Sequence, residues 1–233
     1  MGRVALEALS PTRCAGCERA GELVCDRCLG ELALIDPTLS CARCGAPFGR
    51  MLCTECRGAA AQVDRCLAAA VFEGPLPRIV RAYKDAGERR LARPIAEMLH
   101  DAASHAEAVA PDRFGGLLSE SDAIVFVPAT GRAYRRRGFD HMELVSRQLA
   151  LLSGVPCLDA LIKHGSGDQR LLGREERLDA SRGVYEVATD VGDMRLLLVD
   201  DVITTGATIS ACAAALGDAG AARVDALTLA RVW

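Results

Sequence analysis

The stretch LLLVDDVITTGAT, Leu196 to Thr208, decides how the chain is read. Met194 to Val199 has the form of a buried strand, two carboxylates follow, and a run of small and hydroxyl residues then opens a segment of helical period. In that segment Ile209, Cys212, Ala213 and Leu216 recur on one face until Gly217 and Gly220 end it. Carboxylates at Asp200 and Asp201, where the strand leaves its sheet, are acceptor-only groups suited to the vicinal hydroxyls of a sugar. Thr204, Thr205, Gly206, Ala207 and Thr208 offer backbone N–H groups and hydroxyls at the positive end of a helix dipole, which suits a phosphate. Gly206 permits close backbone approach or a positive φ. Together these groups describe a site for a phosphorylated ribose.

Outward from this stretch, strands alternate with helices. Cys66–Phe72, Ile124–Pro128 and Val224–Leu229 read as strands, while Leu91, Ile95, Met98 and Leu99, and then Val145, Leu149 and Leu152, mark helix faces. Such alternation predicts an α/β fold, a parallel sheet covered on both faces with its ligand site at the carboxyl ends of the strands. Arg132, Arg135, Arg136 and Arg137 form a basic loop after the second strand, placed to capture a pyrophosphate through bidentate guanidinium contacts. Tyr134 and Phe139 interleave with these arginines as in a single-stranded DNA groove, although Phe139 reads as core. Lys84 is a further phosphate candidate. None of the four histidines sits in a nucleophile–base pattern, and His141 reads as a surface residue. Cys66, Cys157 and Cys212 read as small buried hydrophobes.

The first sixty residues have a different character. Eight of the eleven cysteines lie in four C-x-x-C pairs, Cys14/Cys17, Cys25/Cys28, Cys41/Cys44 and Cys53/Cys56. Two such knuckles complete a tetrahedral thiolate shell, so four imply two structural Zn²⁺ ions in a segment too short for a hydrophobic core of its own. Spacing leaves the pairing open, since neighbouring pairs and a crossed arrangement both close. Cysteine spacing stops near Ala59–Asp64, which divides the chain into a zinc module, 1–60, and a larger domain, 61–233. The module balances seven arginines against seven acidic residues and holds one aromatic, Phe48, a poor composition for direct nucleic-acid reading.

The 233 residues are half apolar and a quarter charged, a globular mixture that excludes wholesale disorder. A net charge of −3 gives no global field for a nucleic-acid backbone. No apolar run reaches membrane-spanning length and the start lacks a secretory pattern, so a cytoplasmic protein without membrane insertion is expected.

The Leu196–Thr208 stretch resembles the fingerprint of type I phosphoribosyltransferases, which bind phosphoribosyl pyrophosphate (PRPP). With the cysteine knuckles, YKDAG from Tyr83, VPATGRAYRRRGFDH from Val127 and QRLLGREERLDASRGVY from Gln169, nearly the whole chain resembles the ComF family of competence-associated proteins. That resemblance implies a type I phosphoribosyltransferase-like domain behind a cysteine-rich zinc module, with PRPP and Mg²⁺ as ligands. Asp200 and Asp201 would be the catalytic pair that fixes the ribose, and Thr204–Thr208 would hold the phosphate. Lys84, Arg132, Arg136, Arg137, Gln169 and Arg177 would serve the pyrophosphate or a lid spanning His164–Gly183.

The implied activity is transfer of the phosphoribosyl group to an unidentified nitrogen acceptor with pyrophosphate release, in a DNA-uptake or nucleotide-salvage context. The alternatives are a noncatalytic PRPP-sensing adaptor, docking to a helicase-like DNA-uptake partner, and a single-stranded DNA binder. The chain departs from the family where Arg-Gly-Phe-Asn-Gln is usual, carrying Asp140 and His141, and at Ala180, where the family has Asn. An anionic Asp140 near a pyrophosphate is unfavourable unless it faces away or meets a cation.

Overall fold

The computed structural model describes residues 11–47, 52–54, 56–57, 63–164 and 184–233. After a short helix α1 (Asp26–Gly30), the chain runs through β1 (Cys66–Val71), α2 (Leu76–Lys84), a 3₁₀ turn (Arg89–Leu91), α3 (Ala92–Val109) and α4 (Pro111–Phe114). It continues through β2 (Ala123–Phe126), α5 (Gly131–Arg137), α6 (His141–Ser153), β3 (Cys157–Leu158), β4 (Leu161–Lys163) and β5 (Tyr185–Val187). β6 (Arg195–Ile203), α7 (Ala207–Asp218) and β7 (Arg223–Arg231) complete it.

Five strands form one parallel sheet in the order β1-β7-β6-β2-β3, and β4 pairs with β5 in a separate antiparallel ribbon. The sheet residues alternate between two apolar layers because successive strand side chains point to opposite faces. Leu197, Val199, Leu227 and Leu229 pack with α2, α3 and α6 on one face. Leu196, Leu198, Val224 and Ala226 pack with α7 and the β4–β5 ribbon on the other. Burial on both faces explains why β6 reads as a continuous apolar run. In α3, Ala92, Ile95, Ala96, Leu99, Ala103 and Ala106 form the buried stripe, whose alanines let α6 approach closely.

The stretch Ala33–Ala42, running from between the two cysteine groups into the second, covers the outer edge of β1. Ile35 N–H donates to the Ala69 carbonyl at 3.0 Å, Val71 N–H to Ala33 at 2.8 Å and Cys66 N–H to Ala42 at 2.7 Å. An otherwise open strand edge is thereby paired within the chain.

Several elements differ from the sequence reading. β6 extends past Val199 to Ile203, because Asp200 and the residues after it keep backbone register with β7, so both carboxylates lie inside the strand. The basic stretch is a helix, α5: the Thr130 hydroxyl caps it by accepting from Ala133 N–H at 3.1 Å, and Gly138 ends it at φ +74°. β2 stops at Phe126, short of Pro128. Leu152 does not join Val145 and Leu149 in the core and is 40% exposed. The β4–β5 ribbon and β3 carry no periodicity long enough to be read.

Candidate functional site

The eight knuckle cysteines gather into two separate groups, Cys14/Cys17/Cys25/Cys28 and Cys41/Cys44/Cys53/Cys56, with sulfurs within 4.8 Å of one another in each. Neighbouring pairs therefore close together, which resolves the pairing that spacing left open. Sγ–Sγ separations of 3.6 Å for Cys14–Cys28 and Cys17–Cys25, and 3.7 Å for Cys44–Cys53, approach the edge of about 3.8 Å in a tetrahedron with Zn–S bonds of about 2.3 Å. Both groups share a further detail: the N–H of the third cysteine donates to the sulfur of the first, Cys25 to Cys14 at 3.4 Å and Cys53 to Cys41 at 3.3 Å. Four thiolates around one point need a cation to be stable, and each group fits one structural Zn²⁺. Arg113 ties the segment between the groups to α4, its guanidinium donating to the carbonyls of Pro37 at 2.8 Å, Thr38 at 2.9 Å and Ser40.

A second site forms where β2 and β6 end. β2 leads onward to β3 on one side and β6 to β7 on the other, so the crevice between them is the point at which the strand order reverses, the usual ligand position in such sheets. β6 outruns β2, whose last paired residue, Phe126, faces Val199. Asp200 and Asp201 thus stand beyond the end of β2 while still paired to β7.

Alternation along β6 sends these two carboxylates to opposite faces, Asp201 towards α2 and α6 and Asp200 towards α7 and the β4–β5 ribbon. Asp201 is fully engaged. Its Oδ1 accepts from Val202 N–H at 2.7 Å, and its Oδ2 receives the Lys84 ammonium and lies 3.1 Å from His141 Nε2. Burial alone would raise its pKa, but the His141 hydrogen bond and the Lys84 charge hold it well below the ordinary carboxylate range. Asp200 shifts the other way. Burial and the neighbouring Asp201 charge push it far above that range, and a single backbone bond from Asp201 N–H at 2.9 Å does not offset them. Tyr185, Cys212 and Thr208 lie on this side, and burial pushes the Cys212 thiol up to about 12.

The loop after β6 is anchored from β7. Arg231 donates to the carbonyls of Ile203 at 3.3 Å, Val232 at 2.7 Å and Thr204, and Val232 N–H donates to Ile203 at 2.9 Å. Thr204, Thr205, Ala207 and Thr208 are exposed, and Gly206 begins α7 at φ +79° without a side-chain cap. A residue with a Cβ adopts that φ only under strain.

Of the remaining candidates, Lys84 and Arg137 join the Asp201 cluster. Arg137 is 10% exposed, with its NH1 3.3 Å from His141 Nδ1, its NH2 4.0 Å from Asp85, and its Nε buried with no hydrogen-bond partner among the described residues. Arg132 and Arg136 lie on the exposed side of α5, Arg136 reaching Asp85 at 3.5 Å. Gln169, Arg177 and Ala180 lie outside the described residues, as do Phe48 and all of the expected lid after His164.

The reading of His141 as a surface residue is overturned. It is 6% exposed and central, since the start of α6 packs beneath Tyr83, whose hydroxyl donates to the His141 carbonyl. Asp140 is committed to backbone: it caps α6 through Met142 N–H at 2.9 Å and Glu143 N–H at 3.3 Å, and accepts from Ala129 N–H at 2.6 Å. Arg231 and Asp85 carry no sequence signal for their roles.

No family model matches the chain. Curated relatives do. The chain is 27% identical over 162 residues to Competence protein F of Haemophilus influenzae, covering 67% of this chain and 68% of that one. It is 27% identical over 223 residues to DNA utilization protein YhgH of Salmonella typhimurium, covering 94% and 88% respectively. Among solved structures, a glutamine phosphoribosylpyrophosphate amidotransferase from B. subtilis aligns at 20% identity and a TM-score of 0.41, over 59% of this chain and 26% of that one. No helix among the described residues is long and apolar enough to cross a membrane.

Proposed function

From its kinship with the ComF competence proteins, we propose that the chain binds PRPP in the crevice between β2 and β6 and transfers the phosphoribosyl group to a nitrogen acceptor. The observation that carries this reading is the end of β6: buried carboxylates, then an anchored loop of threonines leading into α7, where Gly206 offers no side-chain cap and Ala207 N–H meets Thr205 Oγ1 at 3.4 Å. The exposed amides and hydroxyls of Thr204–Thr208 suit the 5-phosphate, and the arginines of α5 suit the pyrophosphate.

In the reaction, the acceptor nitrogen forms a bond to C1 of the ribose as the bond from C1 to the pyrophosphate oxygen breaks. Pyrophosphate leaves with the electron pair, and the acceptor's proton passes to solvent. This chain contributes position and charge: Arg137, with its free buried Nε, and the exposed Arg132 and Arg136 neutralise the departing anion. Lys84 joins them once it releases Asp201. Because both oxygens of Asp201 are occupied, ribose hydroxyls must share or replace the Lys84 contact. Mg²⁺ would arrive as the counter-ion of PRPP. Asp200 and Asp201 diverge to opposite faces and make no paired-carboxylate cage for it, so no step here depends on it. Gln169 and Arg177 are proposed lid contacts, and the two Zn²⁺ ions hold the module of residues 1–60 in shape.

Relatives named Competence protein F and DNA utilization protein YhgH support a DNA-uptake setting for this role. A noncatalytic PRPP-sensing role, with a helicase-like partner or single-stranded DNA at the exposed arginines and Tyr134 of α5, is the second reading. A screen for PRPP-dependent pyrophosphate release over nucleobases and other nitrogen acceptors separates the two. Release with one acceptor class is expected; PRPP binding without release from any of them refutes transfer and leaves the sensing role.

A further inference from the structure

Arg137, His141, Asp201 and Lys84 form a continuous chain, buried at His141 and Asp201, whose proton positions can be worked out from chemistry alone. A guanidinium is donor-only, so the Arg137 NH1 contact to His141 Nδ1, at 3.3 Å, requires a lone pair on Nδ1. The ring proton is then on Nε2, 3.1 Å from Asp201 Oδ2, which accepts it. His141 is neutral in this arrangement, an acceptor towards one side and a donor towards the other.

We propose that His141, as the neutral Nε2–H imidazole, is the positioning residue that joins Arg137 to Asp201 and makes anion capture by Arg137 depend on that neutral form. The inference deepens the PRPP reading and rests on it for the identity of the anion.

Protonating Nδ1 turns the acceptor into a second donor and sets a cation against the Arg137 guanidinium. The groups facing the ring from each neighbouring element are Asp201 on β6, Tyr83 on α2 with its ring centroid 6.4 Å away, Lys84 at the end of α2, Arg137 on α5 and Asp140 ahead of α6, whose Oδ1 is 3.7 Å from Nδ1. Both carboxylates are already committed, Asp201 to Lys84 and Val202 and Asp140 to three backbone N–H groups. The imidazolium therefore gains partly satisfied acceptors while losing the Arg137 bond and facing two cations. Arg137 is otherwise held by Asp85 at 4.0 Å, so release from His141 frees it to turn outward from the crevice. Affinity for a pyrophosphate-bearing ligand falls when Nδ1 carries a proton.

Glutamine reproduces the acceptor and donor ends of the neutral ring but does not titrate, whereas leucine keeps volume and removes both ends. Two measurements on the zinc-loaded full chain test the proposal. First, ¹⁵N-histidine NMR at pH 8, with the His141 resonances assigned by their loss in His141→Gln, should give the Nε2–H tautomer. An Nδ1–H or cationic ring would overturn the assignment, whatever PRPP does.

Second, PRPP with Mg²⁺ is titrated into wild type, His141→Gln and His141→Leu at pH 8 and pH 6. At pH 8 glutamine should stay within about threefold of wild type, while leucine weakens binding about tenfold, the equivalent of one charge-assisted hydrogen bond. At pH 6 wild type should lose several-fold more affinity than His141→Gln, which carries only the ligand's own titration. Equal pH dependence in both, or no rescue by glutamine, overturns the positioning role. A wild type that binds no PRPP instead refutes the site reading and the affinity claim with it, leaving the NMR result to judge the tautomer.

Discussion

Replacing Asp140 should destabilise the protein in a graded way that separates its two oxygens. Oδ1 caps α6 through Met142 and Glu143, and Oδ2 accepts from Ala129 N–H, joining the loop after β2 to the start of α6. Asp140→Ala removes an N-cap, worth about 1 kcal/mol, and strands a part-buried amide that had a charged acceptor, worth about 1.5–3 kcal/mol. The expected loss is roughly 2–4 kcal/mol. Asp140→Asn keeps the capping oxygen but turns an amide nitrogen towards Ala129 N–H, donor against donor, so its loss should be intermediate at about 1–2 kcal/mol. Urea denaturation of the zinc-loaded protein, followed by far-UV circular dichroism, reads both numbers. If Asp140→Ala lay within about 0.5 kcal/mol of wild type, or asparagine were as damaging as alanine, the placement of this carboxylate would be refuted.

Asp200→Asn should stabilise the protein increasingly above about pH 4, where an ordinary unfolded-state carboxylate ionises. The folded-state pKa of Asp200 is raised by burial and by Asp201, so its contribution to stability is complete below the unfolded value and is lost as pH rises towards the folded one. A Tm difference between variant and wild type that stays flat from pH 5 to 9 would contradict this. Cys14→Ser and Cys41→Ser should each reduce zinc from two ions to one per chain, since the two groups are separate; loss of both ions from either variant would show shared ligation. Arg113→Met leaves three carbonyls of the inter-knuckle segment without their donor and should cost roughly 2–3 kcal/mol by denaturation, with an unchanged midpoint counting against that anchor.

Much of the fold was legible because burial on both faces writes itself as uninterrupted apolar residues: Leu196–Val199 and Val224–Leu229 announce central strands, and the residues of α7 keep helical spacing. The strand ends were not legible. Asp200 and Asp201 interrupt the apolar run, yet their backbones continue in register with β7, and register is a tertiary property. For α5 the signals were present, a threonine cap and a closing glycine around GRAYRRR, but four arginines in six residues outweighed them. His141 could not be placed from sequence, because the residues that bury and engage it, Tyr83, Lys84 and Asp201, are about sixty positions away. Asp200 and Asp201 were visible as a pair, while their divergence to opposite faces depends on β6 remaining a strand through both. The four knuckles were visible as ligands, and only folding showed which pairs meet.

The central claim is most directly tested by calorimetric titration of PRPP with Mg²⁺, at fixed salt, into the zinc-loaded chain and into its Asp200→Asn/Asp201→Asn double variant. The account predicts saturable binding to the wild type, loss of that binding in the double variant and two zinc ions per chain in both. Absence of heat with the wild type, or equal affinity in the double variant, would contradict it.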